Sequence, residues 1–284
     1  MTTGRLEGRD IVKRFGGLTA VDAASVHTEP GEITALIGPN GAGKTTLFQC
    51  LTGGERPDGG RVLLDGRDIT DRSPDARARL GIGRTFQRLA VFPTMTVDDN
   101  LRVGAEHRTG TSDAEHRTGA SDAEHRTGTS GAEHRTVAGP ARRLGGLLLG
   151  ILGVQVVDAT KHRRRVDEVV ALLGLGDVRD APAGSLPTGT LRLVELGRAL
   201  CHDPCVLLLD EPASGLDTEE TRHLQGVLRA VRDSGVALLL VEHDVDLVFD
   251  VADRVYAMAE GRLIADGTAA EVRRHPAVLE AYLS

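Results

Sequence analysis

The fold is decided by residues 38–46, which read Gly38-Pro39-Asn40-Gly41-Ala42-Gly43-Lys44-Thr45-Thr46. This stretch follows an apolar run over residues 33–37 and precedes a second apolar segment over residues 47–51. A strand, a glycine-rich turn and a helix in that order are expected of the phosphate-binding loop G-x-x-x-x-G-K-[ST], the P-loop. The sequence therefore predicts a P-loop here.

The residue types of the P-loop suit a polyphosphate. Gly38, Gly41 and Gly43 let backbone N–H groups turn inward and approach an anion closely. The helix that starts near Lys44 points its positive end at the same place. Lys44 can reach β- and γ-phosphate oxygens, and the Thr45 hydroxyl can ligate a bridging Mg²⁺. The alternative is a glycine-rich surface turn that contains a lysine by chance. We predict that all nine residues bind a nucleotide. The P-loop alone does not identify the class of nucleotide enzyme.

Composition limits the other function classes. The chain has 284 residues, a net charge of −7 and no tryptophan, so it can bury a core but lacks a basic footprint or stacking platforms for nucleic acid. Its three cysteines fit a reducing compartment without disulfides. Cys201 and Cys205 have no second Cys/His pair at zinc spacing, and we interpret them as small residues flanking a turn.

Apolar segments of strand length alternate with helical segments along most of the chain. Residues 5–37 are predicted strands, residues 205–209 and 236–241 are apolar strands, and residues 161–173 and 189–200 have helical spacing. This alternation predicts a mostly parallel sheet that is covered on both faces. The predicted fold class is α/β, with a P-loop core, an N-terminal antiparallel β part and a helical subdomain.

A nine-residue repeat interrupts this pattern. Ala-Glu-His-Arg-Thr recurs at Ala105, Ala114, Ala123 and Ala132, and the copies hold almost nothing apolar. Nine residues advance a helix by about half a turn, so the copies share no common face. We predict a disordered insert over residues 105–137, in preference to a metal site formed by its histidines.

Asp210 and Glu211 close the apolar strand over residues 205–209. We expect this strand to lie beside the P-loop strand, so that Asp210 holds a Mg²⁺-bound water. Glu211 would point the other way along the pleat and take a proton from the attacking water. The alternative, a surface acidic pair that caps a helix, is disfavoured because Pro212 bars a simple helix start.

The order of these motifs resembles that of ATPase subunits of ABC transporters. The resemblance rests on the P-loop, residues 206–212, Ser214-Gly215-Leu216-Asp217 and His243, and it covers nearly the whole chain except about residues 105–157. Three further segments look most like the branched-chain amino acid uptake subgroup, namely Gly83-Arg84-Thr85-Phe86-Gln87, Glu242-His243-Asp244 and Ala281-Tyr282-Leu283.

The resemblance implies a role for each matching position. Phe15 occupies the aromatic slot that stacks on adenine. Gln87 occupies the Q-loop, which contacts Mg²⁺ and the attacking water and touches the membrane subunit. Asp217 lies in the loop that crosses to the partner protomer, and His243 occupies the switch that holds the γ-phosphate.

The signature motif of the family, Leu-Ser-Gly-Gly-Gln, is altered here. It corresponds to Leu186-Pro187-Thr188-Gly189-Thr190, in which Leu186 and Gly189 match. Pro187 removes both the serine hydroxyl and a backbone donor. We expect Thr188 and the Gly189 N–H to supply the contact to the γ-phosphate of an ATP held by a second protomer.

Together these features predict the ATP- and Mg²⁺-dependent subunit of an ABC importer for branched-chain or related amino acids. It would act as a dimer on the cytoplasmic face of the cell membrane, with permease subunits and, indirectly, a solute-binding protein. Residues 1–284 would form one ABC ATPase domain, with a core at 1–89 and 186–284 and a helical subdomain at 90–185. The alternatives are an exporter ATPase of the lipopolysaccharide type, a non-transport ABC ATPase and a P-loop kinase.

Overall fold

The computed structural model describes residues 4–85, 90–106 and 160–283. Its strands are β1 (Leu6–Phe15), β2 (Leu18–Thr28), β3 (Ile33–Ile37), β4 (Gly59–Leu64), β5 (Arg67–Asp68), β6 (Ile82–Arg84), β7 (Val206–Asp210), β8 (Ala237–Val241), β9 (Arg254–Ala259) and β10 (Arg262–Gly267). Its helices are α1 (Lys44–Thr52), α2 (Pro74–Arg79), α3 (Val97–Glu106), α4 (described over residues 160–173), α5 (Thr188–Cys201), α6 (Thr218–Asp233), α7 (Val245–Val251), α8 (Ala269–Arg273) and α9 (Pro276–Leu283).

The larger sheet has six strands in the order β10-β9-β3-β8-β7-β6. All neighbouring pairs are parallel except β9 and β10, which confirms the predicted mostly parallel sheet. The expected position of β7 beside the P-loop strand β3 is wrong, because β8 lies between them. The carboxyl ends of all three strands still meet at one edge of the sheet, where ligands bind in such folds.

The two faces of this sheet are covered differently. Leu36, Leu208 and Leu239 face a cluster shared with α1 and with the smaller antiparallel sheet, whose order is β2-β1-β4-β5. The alternate side chains, such as Leu209 and Leu240, pack against α5, α6 and α7. The P-loop helix α1 is therefore clamped between two sheets, and the predicted N-terminal antiparallel part is confirmed.

Helices α3, α4 and α5 pack closely because α5 carries a glycine at the contact. A Cβ on Gly197 would lie 2.5 Å from Leu101 of α3 and 2.8 Å from Leu173 of α4. Arg179 joins the same helices through ion pairs to Asp98 at 2.6 Å and to Asp167 at 2.7 Å. The subdomain boundaries at residues 90 and 185 stay a prediction.

Most of the nine-residue repeats lie outside the described residues. The prediction that the disordered insert begins at Ala105 is wrong at its first two residues, since Ala105 and Glu106 end α3 and Ala105 is buried in the core. Ala105 opens the first copy of the repeat, so the sequence pattern alone did not show that this alanine belongs to the end of a helix.

No helix in the described ranges has both the length and the apolar character needed to cross a membrane.

Candidate nucleotide site

The P-loop connects β3 to α1, and two of its glycines are required by the backbone around it. Gly38 has φ +152° and Gly43 has φ +97°, a region that disfavours other residues. A side chain on Gly38 would collide with the carbonyl of Met258, and one on Gly43 with the carbonyl of Ala20. Strands β2 and β9 therefore hold the loop from two sides.

Lys44 begins α1 and folds over the loop that precedes it. Its Nζ donates to the carbonyl oxygens of Gly38 at 2.6 Å and Pro39 at 3.0 Å, and the residue is buried. Burial lowers the pKa of the Lys44 ammonium, while the carboxylates of Glu211 and Asp210 oppose that shift. The P-loop lysine is thus influenced by the charges of the predicted general base, Glu211, and of the predicted Mg²⁺ residue, Asp210.

The remaining P-loop residues differ in exposure. Asn40, Gly41 and Thr45 are exposed, whereas Pro39 and Thr46 are half-buried. Ala42 is buried and its carbonyl accepts the Gly261 N–H at 3.0 Å, which fixes the loop to the turn between β9 and β10. The exposed rim leaves backbone N–H groups and the Thr45 hydroxyl open to a ligand.

Asp210 and Glu211 lie where β7 ends. Asp210 pairs in register with Val241 of β8 and is 5% exposed. Burial raises the pKa of the Asp210 carboxyl, and the charges of Glu211 and Glu242 add to that rise. Glu211 has φ +48°, and its N–H donates to the Val241 carbonyl at 2.9 Å. Its direction is thus set by a left-handed backbone just past the strand, not by the pleat as predicted.

His243 follows β8 and faces the end of β7. Its Nδ1 lies 3.9 Å from Glu211 Oε1 and 3.7 Å from Glu242 Oε2, and its side chain is 60% exposed. The predicted base and the predicted switch histidine are therefore neighbours. Oxygen donors from Asp210 and Thr45 are the hard ligands that Mg²⁺ prefers, so this donor set fits that ion.

Phe15 lies at the end of β1, on the hairpin to β2, with nearly half of its side chain exposed. Lys13 Nζ lies 5.3 Å from the centre of its ring. Further along β2, the carbonyl of Ala20 packs against Gly43 of the P-loop. An exposed aromatic ring on the hairpin that borders the P-loop suits a base-stacking role.

The altered signature motif forms the start of α5. Pro187 is the residue before the helix, with φ −58° and ψ 156°, and Thr188 is its exposed first residue. Gly189 is buried, and a Cβ there would collide with the carboxylate of Glu220. Sequence reasoning missed this contact between the motif and α6. Leu186 and Thr190 are half-buried beside it.

Asp217 caps the helix α6. Its side chain accepts the N–H groups of Glu219 and Glu220 at 2.8 Å each, and the Glu220 carboxylate accepts the Asp217 N–H at 3.0 Å. This reciprocal capping box fixes the end of the loop that runs from Glu211 to α6.

Gln87 lies outside the described residues. The residues on either side, Arg84, Ala90 and Phe92, line a cavity of about 640 Å³ between β6, α2, α3 and α5. Arg198 of α5 also lines it, with its guanidinium 5.0 Å from the centre of the Phe92 ring.

Tyr282 of α9 approaches the P-loop from the C-terminal end of the chain. Burial raises the pKa of its phenol, and a hydrogen bond from the Gly38 backbone opposes that rise. Sequence reasoning used Tyr282 only for its resemblance to a subgroup, because nothing local to residues 281–283 predicts a contact with residue 38.

The comparisons with known proteins identify the family of the chain. A family model described as "ABC transporter" matches residues 21–214, and one described as "Branched-chain amino acid ATP-binding cassette transporter" matches residues 262–283. LivG of Escherichia coli strain K12, a high-affinity branched-chain amino acid transport ATP-binding protein, is 33% identical over 100% of this chain and 99% of its own. BraF of Pseudomonas aeruginosa, with the same description, is 34% identical over 98% of this chain and 97% of its own.

Two solved structures of ATP-binding cassettes are also similar to this chain. The ADP conformation of MJ1267, an ATP-binding cassette of an ABC transporter, superposes with a TM-score of 0.75 at 29% identity, over 98% of both chains. A nucleotide-free ATP-binding cassette from an ABC transporter gives 0.73, also at 29% identity.

The chain belongs to the ABC transporter family, and its fold is that of the ATP-binding cassette. Within that family its C-terminal match and its full-length relatives confirm the resemblance to the branched-chain amino acid subgroup.

Proposed function

We propose that this chain binds and hydrolyses ATP to energise the uptake of branched-chain or related amino acids. One observation carries the chemistry: the P-loop with Lys44 follows β3, and Asp210 and Glu211 stand at the end of β7, at the one sheet edge where β3, β8 and β7 end. The solute class is supported by the printed names of the full-length relatives.

The P-loop would bind the phosphates. Its backbone N–H groups and the positive end of α1 attract the anion, and the Lys44 ammonium exchanges its loop carbonyls for phosphate oxygens. Phe15 would stack on the adenine. Thr45 and Asp210, with Gln87, would hold Mg²⁺, which neutralises charge that builds on the phosphates.

Glu211 would act as the general base. Its side chain is 27% exposed and lies beside His243, so it can accept a proton from water while the histidine contacts the γ-phosphate. Burial raises the pKa of the neighbouring Asp210 carboxyl, and the charge of Glu211 adds to that rise.

A second protomer would complete the site. The start of α5 presents backbone N–H groups, the Thr188 hydroxyl and the positive end of a helix of 14 residues. One P-loop per chain then requires two chains, each giving its residues 186–190 to the ATP of the other. The exposed Asp217 loop would cross that interface.

The membrane partners would dock at the cavity that flanks residues 86–89. The cavity opens between the sheet and the helices α3 and α5. We assign α3 to the helical subdomain at 90–185 and α5 to the core. Permease subunits seated there would hold the chain at the cytoplasmic face of the membrane, and a solute-binding protein would act through them.

The exporter alternative is not favoured, because the full-length relatives named above are described as branched-chain amino acid transport proteins. A non-transport ABC ATPase or a P-loop kinase has no comparable support among them. An acceptor-independent release of phosphate from ATP would separate hydrolysis from a kinase reaction.

Purification of the tagged full chain from detergent-solubilised membranes tests the proposal. We expect membrane-spanning subunits to co-purify, and we expect ATP hydrolysis by the complex to rise when a branched-chain amino acid and its binding protein are added to proteoliposomes. A complex whose hydrolysis responds to other solutes and not to these would overturn the solute class.

A further inference from the structure

Glu242 is a buried carboxylate that the proposed mechanism leaves without a role. Its side chain is 0% exposed, and its N–H lies 3.4 Å from the carbonyl of Leu36 in the P-loop strand. Burial of an ionised carboxylate is costly unless donors surround it. Burial raises the pKa of Glu242, and three backbone N–H groups, with the nearby His243, oppose that rise.

These donors come from two different loops. Oε1 accepts the N–H of Ala213 at 2.9 Å, in the loop that runs from Glu211 to α6. Oε2 accepts the N–H of His243 at 3.1 Å and that of Asp244 at 3.5 Å, in the loop that follows β8. One side chain therefore joins the loop of the predicted base to the loop of the switch histidine.

The same carboxylate also lies beside the imidazole of His243. Nδ1 is 3.7 Å from Glu242 Oε2, and the ring is otherwise 60% exposed. A carboxylate near Nδ1 favours the tautomer with its hydrogen there and restrains the rotation of an exposed ring. Loss of that restraint would leave His243 and Glu211 free to move apart.

We propose that Glu242 is a positioning residue, which holds His243 against Glu211 by bonding both loops at once. The inference rests on the proposed ATP hydrolysis and deepens it. Glu242 contacts neither the nucleotide nor the reacting water, and it acts through the geometry of its neighbours.

A double-mutant cycle tests this role in the full chain. Glu242→Gln keeps one acceptor for Ala213 but replaces the other oxygen with an amide that cannot accept from the loop after β8. We expect kcat for ATP hydrolysis to fall about tenfold, because a small displacement of His243 or Glu211 slows the chemical step. KM for ATP should stay nearly unchanged. In a His243→Ala background the same change should lower kcat by less than about twofold, because the two residues act as one unit.

Asp244→Ala is the matched control for general loosening of the same loop. The Asp244 side chain caps α7 by accepting the N–H groups of Asp246 and Leu247 at 3.1 Å each. Its loss should lower the melting temperature by a few degrees but leave kcat within about twofold. If Asp244→Ala lowers kcat as much as Glu242→Gln does, the role is loop stability and the proposal is wrong.

The outcomes separate this proposal from the proposed function. Absence of ATP hydrolysis in the assembled parent would overturn the function itself. Hydrolysis by the parent with full activity in Glu242→Gln, or with losses that multiply in the double variant, would overturn the positioning role alone. Glu242→Met, which keeps the side-chain length without a carboxylate, serves for the same cycle if the glutamine variant does not fold.

Discussion

The P-loop and the carboxyl edge of β7 and β8 form their halves of the site in different ways. The P-loop is nine consecutive residues whose backbone makes the cradle, with glycines where neighbouring carbonyls approach. The edge brings together side chains from two strands, and they meet because Asp210 is level with Val241 in the sheet. Binding is therefore encoded locally, whereas the proposed hydrolysis depends on strand register.

The largest expected effect lies at the carboxyl edge. Glu211→Gln should slow ATP hydrolysis by about 10²-fold or more, because the general base is lost while the side chain keeps its size. Glu219→Gln, an exposed acid in the first turn of α6, is the control and should hydrolyse ATP normally. The measurement is the turnover number at saturating ATP. A value for Glu211→Gln near that of the parent would show that Glu211 is not the general base.

A smaller effect is expected at the start of α5. Thr188→Val removes an exposed hydroxyl, and hydrogen bonds to charged groups are worth about 1.5–3 kcal/mol. ATP-driven dimerisation should weaken roughly tenfold, measured by light scattering in the Glu211→Gln background. Ser185→Ala, which removes a nearby hydroxyl bonded to the Pro182 carbonyl, is the control.

The structure alters the use of a second variant in this motif. Gly189→Asp would block a partner phosphate, but its side chain would also collide with Glu220 of the same chain. Any loss of dimerisation would then also report the movement of the Glu220 carboxylate, which accepts the Asp217 N–H at the start of α6. Unchanged dimerisation by Thr188→Val therefore gives the clearer contradiction of a two-protomer site.

The smallest effect is expected at the back of the P-loop. Tyr282→Phe removes only the phenol oxygen, whose pKa the Gly38 backbone lowers, and a neutral hydrogen bond between them would be worth about 1 kcal/mol. We expect ATP affinity to fall less than about fivefold, and calorimetry of ATP binding measures it. A loss of ATP affinity as large as that of Lys44→Ala would mean that α9 is needed to hold the P-loop in its binding conformation.

Sequence predicted the local features of this protein and missed the long-range ones. The P-loop, the strands that end at Asp210 and Val241, and the start of α5 are set by short patterns. The position of β8 between β3 and β7 was missed because apolar runs carry no information on strand order. The contact of Gly189 with Glu220 is likewise a product of packing between helices.

Glu242 shows the same limit at one residue. An acidic residue after an apolar strand usually faces solvent, and no pattern near Glu242 predicts a side chain with 0% exposure. Its burial follows from loops that fold over the edge from both strands. The spacing of residues along the chain does not predict which side chains these loops bury.

The division between binding at the P-loop and hydrolysis at the carboxyl edge is tested most directly by ATP affinity. Calorimetry with ATP and Mg²⁺ on the parent, Lys44→Ala and Glu211→Gln compares both regions in one experiment. We predict that Glu211→Gln binds ATP as the parent does, while Lys44→Ala loses at least about tenfold because a direct phosphate contact is gone. Parental affinity in Lys44→Ala, or an equal loss in both variants, would contradict the account.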